Sequence, residues 1–157
     1  MVIKVSSDKL DNLLDAIKNQ KLFSFFKNIG EWEYDKAVEK WGTKWEADSI
    51  SYDIKKRSNK WVTVQIYFLS AWSPPEKVYE AMLDILWLQF VRAYYYEGGM
   101  GLCGQFTENK GLHYQEYDIS KVPYSLAKEL SLDEQDCYEA KVIDGRRYYV
   151  IRNADNE

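Results

Sequence analysis

Residues 61–69 read Trp61-Val62-Thr63-Val64-Gln65-Ile66-Tyr67-Phe68-Leu69. β-Branched and aromatic residues fill the run, and polar and apolar positions alternate with the period of two of an extended chain. The alternation predicts a strand with Val62, Val64, Ile66 and Phe68 facing a core. Trp61, Thr63, Gln65 and Tyr67 line its other face. Upstream, residues 47–56 alternate too, Ile50, Tyr52 and Ile54 against Ser49, Ser51 and Asp53. The polar stretch Lys56-Arg57-Ser58-Asn59-Lys60 joins the two runs as a hairpin loop. Downstream, Ser73-Pro74-Pro75-Glu76 reads as a helix start. Ser73 is the cap, Pro74 takes the first helical position, and Glu76 completes a capping box. Val78, Met82, Ile85 and Leu86 then form the buried stripe.

Working outward toward the N-terminus, residues 34–40 suit a helical turn. Leu22, Phe23, Phe25, Phe26 and Ile29 form a second helical piece ended by Gly30. Leu10, Leu13, Leu14 and Ile17 follow the spacing of one helix face over residues 8–19, with Ser7 as N-cap. Residues 2–6 alternate weakly, as a first strand. Toward the C-terminus, residues 89–97 read as a strand, Gly98-Gly99 as a tight turn, and Met100 to Phe106 as the returning strand. Glu108-Asn109-Lys110-Gly111 is a further turn, and Leu112 to Tyr117 extends the sheet. The tail has a helix over Pro123 to Leu130 and a capping-box pattern at Ser131-Leu132-Asp133-Glu134. Its last element, Cys137 to Ile151, is a hairpin turning at Asp144-Gly145.

Strand, helix, strand, strand, helix, strand is the split βαβ or ferredoxin-like plan, an α+β fold with the helices on one face of an antiparallel sheet. The expected organisation is one domain over residues 1–157, with a C-terminal helix and hairpin extension from about residue 118. There is no composition break, internal repeat or low-complexity segment.

The chain has 157 residues, enough to bury a real core. A net charge of −4 argues against generic duplex binding, which rests on phosphate neutralisation. Thirteen tyrosines and six tryptophans exceed what a core absorbs cheaply, and such residues favour recognition surfaces. Two cysteines, Cys103 and Cys137, and one histidine, His113, do not make a zinc site. Both thiols are expected reduced and half-buried. No cofactor is implied. The start, Met1-Val2-Ile3-Lys4-Val5, lacks the apolar region of a signal peptide, and no run reaches the roughly 18 apolar residues of a membrane span. The expected location is the cytoplasm.

Trp41-Gly42-Thr43-Lys44-Trp45 is the candidate site. Gly42 lets the two indoles leave one regular element, and Lys44 can stack on one of them. Trp45 opens the second strand and Trp72 closes the third, so Trp41, Trp45 and Trp72 are expected together at one end of the sheet. Lys44, Tyr96 and Glu97 are the polar members. Gly98 to Gly104 is not a phosphate loop, because a strand follows it and the GxxxxGK[ST] spacing is absent. His113, with Glu116 and Asp118 nearby, has no nucleophile to serve. Cys103 lacks a cationic neighbour to activate it. Lys55-Lys56-Arg57 with Lys60, and Arg146-Arg147, read as solvated loops.

Trp41–Trp45, Leu69-Ser70-Ala71-Trp72-Ser73-Pro74-Pro75 and Tyr96-Glu97-Gly98-Gly99-Met100-Gly101-Leu102-Cys103-Gly104 together resemble the YubB-like proteins of bacterial plasmids and phages. The resemblance covers about residues 30–117. It implies a ferredoxin-like domain of unknown function and a mobile-element origin, and brings no catalytic residues.

Three functions compete. The leading one is a non-enzymatic protein-binding module that modifies a host protein or inhibits a host defence system. The second is a single-stranded nucleic-acid binder that stacks bases on Trp61, Tyr67 and Tyr95. It is disfavoured because the sequence shows no basic rim. The third is a small enzyme using Glu97 or His113. A homodimer through a sheet edge or the tail hairpin is compatible with the sequence.

Overall fold

The computed structural model describes residues 1–108 and 114–152. The expected turn through Asn109, Lys110 and Gly111, the first two residues of the strand expected from Leu112, and the candidate base His113 lie outside the described residues. β1 (Val2–Ser6) buries Ile3 and Val5 completely, and its alternate residues stay half-exposed. β3 (Trp61–Leu69) runs antiparallel to it, with Ile3 opposite Val64 and Val5 opposite Val62. β4 (Leu88–Glu97) lies on the other side of β1, with Val91 opposite Ile3. β2 (Asp48–Arg57) pairs antiparallel with β3. The strand order is therefore β2-β3-β1-β4, continued by β5 (Leu102–Thr107) and β6 (Tyr114–Asp118). The first four strands have the order of the ferredoxin-like plan, and the fold is α+β.

Four helices form one layer in this part of the chain. They are α1 (Leu10–Lys18), α2 (Leu22–Phe26), α3 (Tyr34–Trp41) and α4 (Glu76–Leu83). α1 touches α2, and α4 touches both α2 and α3. Phe23 of α2 is the hub, meeting Trp41 edge-on at 5.9 Å and Phe68 at 5.4 Å. Burying a side chain of this size contributes about 1.5–3 kcal/mol.

Among the described residues, the chain forms two compact units, residues 1–93 with 106–108 and residues 94–105 with 114–152. The second holds β7 (Lys121–Pro123), α5 (Tyr124–Glu129), β8 (Tyr138–Ile143) and β9 (Arg146–Ile151), with a small sheet in the order β7-β9-β8. Its core is Cys103, Val122, Leu126, Ala127, Leu132 and Tyr138.

Several local expectations change. β2 is the sheet's edge strand. Among the described residues it has a neighbour on one side only, so Tyr52 and Ile54, which stand opposite Ile66 and Val64 on the core-bearing face, remain exposed at its edge. Ser7 does not cap: a 3-10 turn (Ser7–Lys9) precedes α1, and the Ser7 hydroxyl donates to Ser58 O at 3.3 Å. α2 ends before Gly30, which takes φ 72° in the following loop. Ser73 does not cap α4 either, because its hydroxyl is committed to Gly42 O at 2.8 Å. α4 stops at Leu83 and the chain turns into β4 through a Leu88 N–H to Ile85 O bond. Ile85 is left half-buried and Leu86 is 97% exposed. In the turn after β4 the left-handed residue is Gly101 rather than Gly98 or Gly99. Ser131 adopts φ 53° and makes no side-chain cap, so only a 3-10 turn follows. Cys103 is fully buried and Cys137 exposed, in place of two half-buried thiols.

Candidate functional site

Trp41 ends α3, and Gly42 follows at φ 82° with its N–H donating to Val38 O. The left-handed angle favours glycine, and a Cβ there would also lie 3.4 Å from Glu76 N. This turn aims the chain at the loop after β3. Thr43 is buried and its hydroxyl donates to Ala71 O at 3.0 Å. Ser73 Oγ donates to Gly42 O, and Ser70 Oγ donates to Ser73 O at 2.9 Å. Two hydroxyls thus stitch residues 42–43 to residues 70–73, and the third braces the 70–73 loop within itself.

The stitched loops display Trp72. It sits at φ 69°, a conformation that a bulky residue adopts only under constraint, and it is 67% exposed. The Lys44 ammonium lies 4.5 Å from the centre of its ring. The expected lysine–indole contact is therefore made with Trp72 rather than with Trp41 or Trp45. Trp32 Nε1 donates to Lys44 O at 3.2 Å, and Trp32 and Trp45 are 53% and 48% exposed. Glu46 turns inward instead. Its carboxylate accepts Phe23 N–H at 2.5 Å and Ser24 N–H at 2.9 Å, capping α2 from a distant part of the sequence.

The six predicted positions separate. Lys44 and Trp72 touch, and Trp45 stands exposed beside Lys44 in the chain, with β2 starting three residues later at Asp48. Trp41 is only 2% exposed and donates its indole N–H to Lys27 O at 2.7 Å, so it is core. Tyr96 and Glu97 belong to the second unit. There Tyr96 hydrogen-bonds Tyr138, whose hydroxyl is pushed above its ordinary range by burial first and by that bond second. Glu97 accepts Gly99 N–H at 2.9 Å and so anchors its own turn. Trp32 and Glu46 were missed. The one local signal for Trp32 was an indole flanked by two acids, Glu31 and Glu33. Glu46 had none, since the helix amides it caps, Phe23 and Ser24, lie more than twenty residues away.

The glycine-rich stretch is structural. A Cβ at Gly104 would overlap the Tyr95 ring and the Gln115 carbonyl. Tyr95 stacks on Tyr114 at 5.8 Å, shares a short bond with its hydroxyl, and donates to Glu116 at 2.7 Å. Burial, followed by those partners, raises its pKa well above the ordinary range. Tyr95 is committed to these neighbours and is not a free stacking platform. Burial pushes the Cys103 thiol up to about 11, helped by Asp118 and Glu116, which keeps it unreactive near neutrality. Among the described residues, no group of three His, Cys, Asp or Glu side chains is arranged to hold a metal ion. No described helix is long and apolar enough to cross a membrane.

Sheet order and helix layer define an α+β protein built on a ferredoxin-like plan. Residues 40–129, more than half of the chain, match the family described as the ferredoxin-like domain in Api92-like protein, and the chain belongs to that family. The matched span takes in all three motifs, from the Trp41 turn to Gly104, and continues through α5. Comparison with curated proteins and with solved structures gives no match.

Proposed function

We propose that the chain is a non-enzymatic protein-binding module from a phage or plasmid, acting in the cytoplasm of a bacterial host on a host protein, as an inhibitor of a defence system or a modifier of host machinery. The observation that carries the binding role is Trp72, a strained and exposed indole held out by three buried or half-buried hydroxyl bonds. A tryptophan is costly to expose, and indoles are the residues that most often dominate protein interfaces. The surface suits a partner that offers an apolar pocket for the Trp72 ring and a carboxylate for Lys44. The YubB-like resemblance supports the origin and the host target.

Affinity capture from nuclease-treated bacterial lysate, repeated with Trp72→Gly, tests this reading. One stoichiometric protein is expected with the wild-type chain and none with the variant, and titration calorimetry on the purified pair should repeat the contrast. A partner retained undiminished by Trp72→Gly would remove the patch from the function.

A further inference from the structure

Strand register in the first unit gathers cations that lie far apart in sequence. The buried face of the sheet carries Ile3, Val5, Val62, Val64, Ile66 and Val91. Residues one step along each strand project from the opposite face. On that face one cross-strand row runs Lys56, Thr63, Lys4, Phe90, and the next runs Asp53, Gln65, Val2, Arg92. Tyr67 stands opposite Ser51 and Trp61 opposite Ser6. The Arg92 guanidinium lies 5.3 Å from the Phe90 ring. Asp53 is already neutralised by Lys55 at 3.1 Å. Lys4, Lys56 and Arg92 make no ion pair among the described residues. A chain of net charge −4 thus carries three unpaired cations on one sheet face, interleaved with Phe90, Trp61 and Tyr67. At the Trp61 end the face meets a shallow depression of about 550 Å³ lined by Lys60, Trp61 and Trp87, and by Asp8, whose carboxylate lies 3.9 Å from the Lys9 ammonium.

We infer that this face binds single-stranded nucleic acid, independently of the Trp72 patch. Unpaired cations at the spacing of neighbouring strands fit a phosphate chain, and rings between them fit base faces. Duplex hides those base faces, so the chemistry selects the single strand. The basic rim that the sequence lacks is assembled by pairing β2, β3, β1 and β4.

The test is fluorescence anisotropy with labelled oligothymidine and oligouridine of about a dozen nucleotides, a length within the range of single-strand sites. Three phosphate contacts predict a log–log salt slope of about −2, from roughly −0.7 per contact. Arg92→Gln with Lys56→Gln, both at exposed positions, should reduce the slope to about −0.7. Phe90→Ala should weaken binding about 5- to 100-fold, the loss of one stacked base. Circular dichroism checks that each variant folds, and Trp72→Gly should bind as the wild type does. Four outcomes overturn the inference: no salt-dependent binding, equal binding to duplex, a slope unchanged in the double variant, or loss only through Lys121→Gln and Arg146→Gln in the second unit. That unit's own cation–tyrosine surface has Lys121 4.6 Å from the Tyr148 ring. Failure here leaves the Trp72 reading standing, because lysate capture is made after nuclease treatment.

Discussion

Replacing Glu46 by alanine tests the link between the tryptophan loop and the core. The carboxylate accepts Phe23 N–H at 2.5 Å, Ser24 N–H at 2.9 Å and its neighbour Ala47 N–H at 3.0 Å. Phe23 and Ser24 open α2, and the residue before that helix, Lys21, provides no side-chain cap. Glu46→Ala therefore leaves two half-buried donors without their acceptor. Losing a cap typically costs about 1 kcal/mol, and a hydrogen bond to a charged group is worth about 1.5–3 kcal/mol. Two such bonds, discounted for partial exposure, give a loss of roughly 3 kcal/mol. For a chain of this size that lowers Tm by about 6–12 °C. Glu46→Gln keeps one acceptor oxygen and turns an amide toward the other N–H, so its loss should be about half as large. Thermal melts followed by near-ultraviolet circular dichroism are the assay, because Phe23 packs directly on Trp41. Tm values for Glu46→Ala within about 2 °C of wild type would refute the reasoning and mean that water replaces the cap at no cost.

Other outcomes follow from the same structure. Gly104→Ala forces a methyl into the Tyr95 ring and the Gln115 carbonyl, so calorimetry should show a loss of about 1–3 kcal/mol, and Tyr95→Ala should not fully restore it because the carbonyl remains. Trp72→Gly relieves a left-handed backbone worth about 1–2 kcal/mol but adds unfolded-state entropy, so its melt should stay within about 4 °C of wild type while partner capture is lost. A thiol reagent near neutral pH should label Cys137 alone in the folded chain, and Cys103 only after denaturation. The Cys103 pKa rises from 9.0 to about 11 on folding, so the unfolded chain ionises first. Stability should therefore be level below about pH 9 and fall as pH climbs toward 11, with a smaller fall in Cys103→Ala.

The readable parts of the chain were those whose structure is set by near neighbours. Val62, Val64 and Ile66 are buried because alternation in an extended strand leaves each side chain only two faces to choose between. Asp144 and Gly145 both take positive φ in the last hairpin, as that turn chemistry demands. The helix starts misled because a serine hydroxyl bonds whatever carbonyl or amide the fold brings near. Ser73 is drawn to Gly42 O across 31 residues, and Glu46, lacking any local pattern, caps a helix 22 or 23 residues before it. By itself the sequence determined the α+β class, the strand with its inward face and the closing hairpin. Only tertiary structure decided that Trp41 is core while Trp72 is displayed, that Tyr96 serves Tyr138, and that Lys4, Lys56 and Arg92 share a surface. The physical reason is that burial and charge clustering depend on which strands and helices pair, and those contacts join residues tens of positions apart.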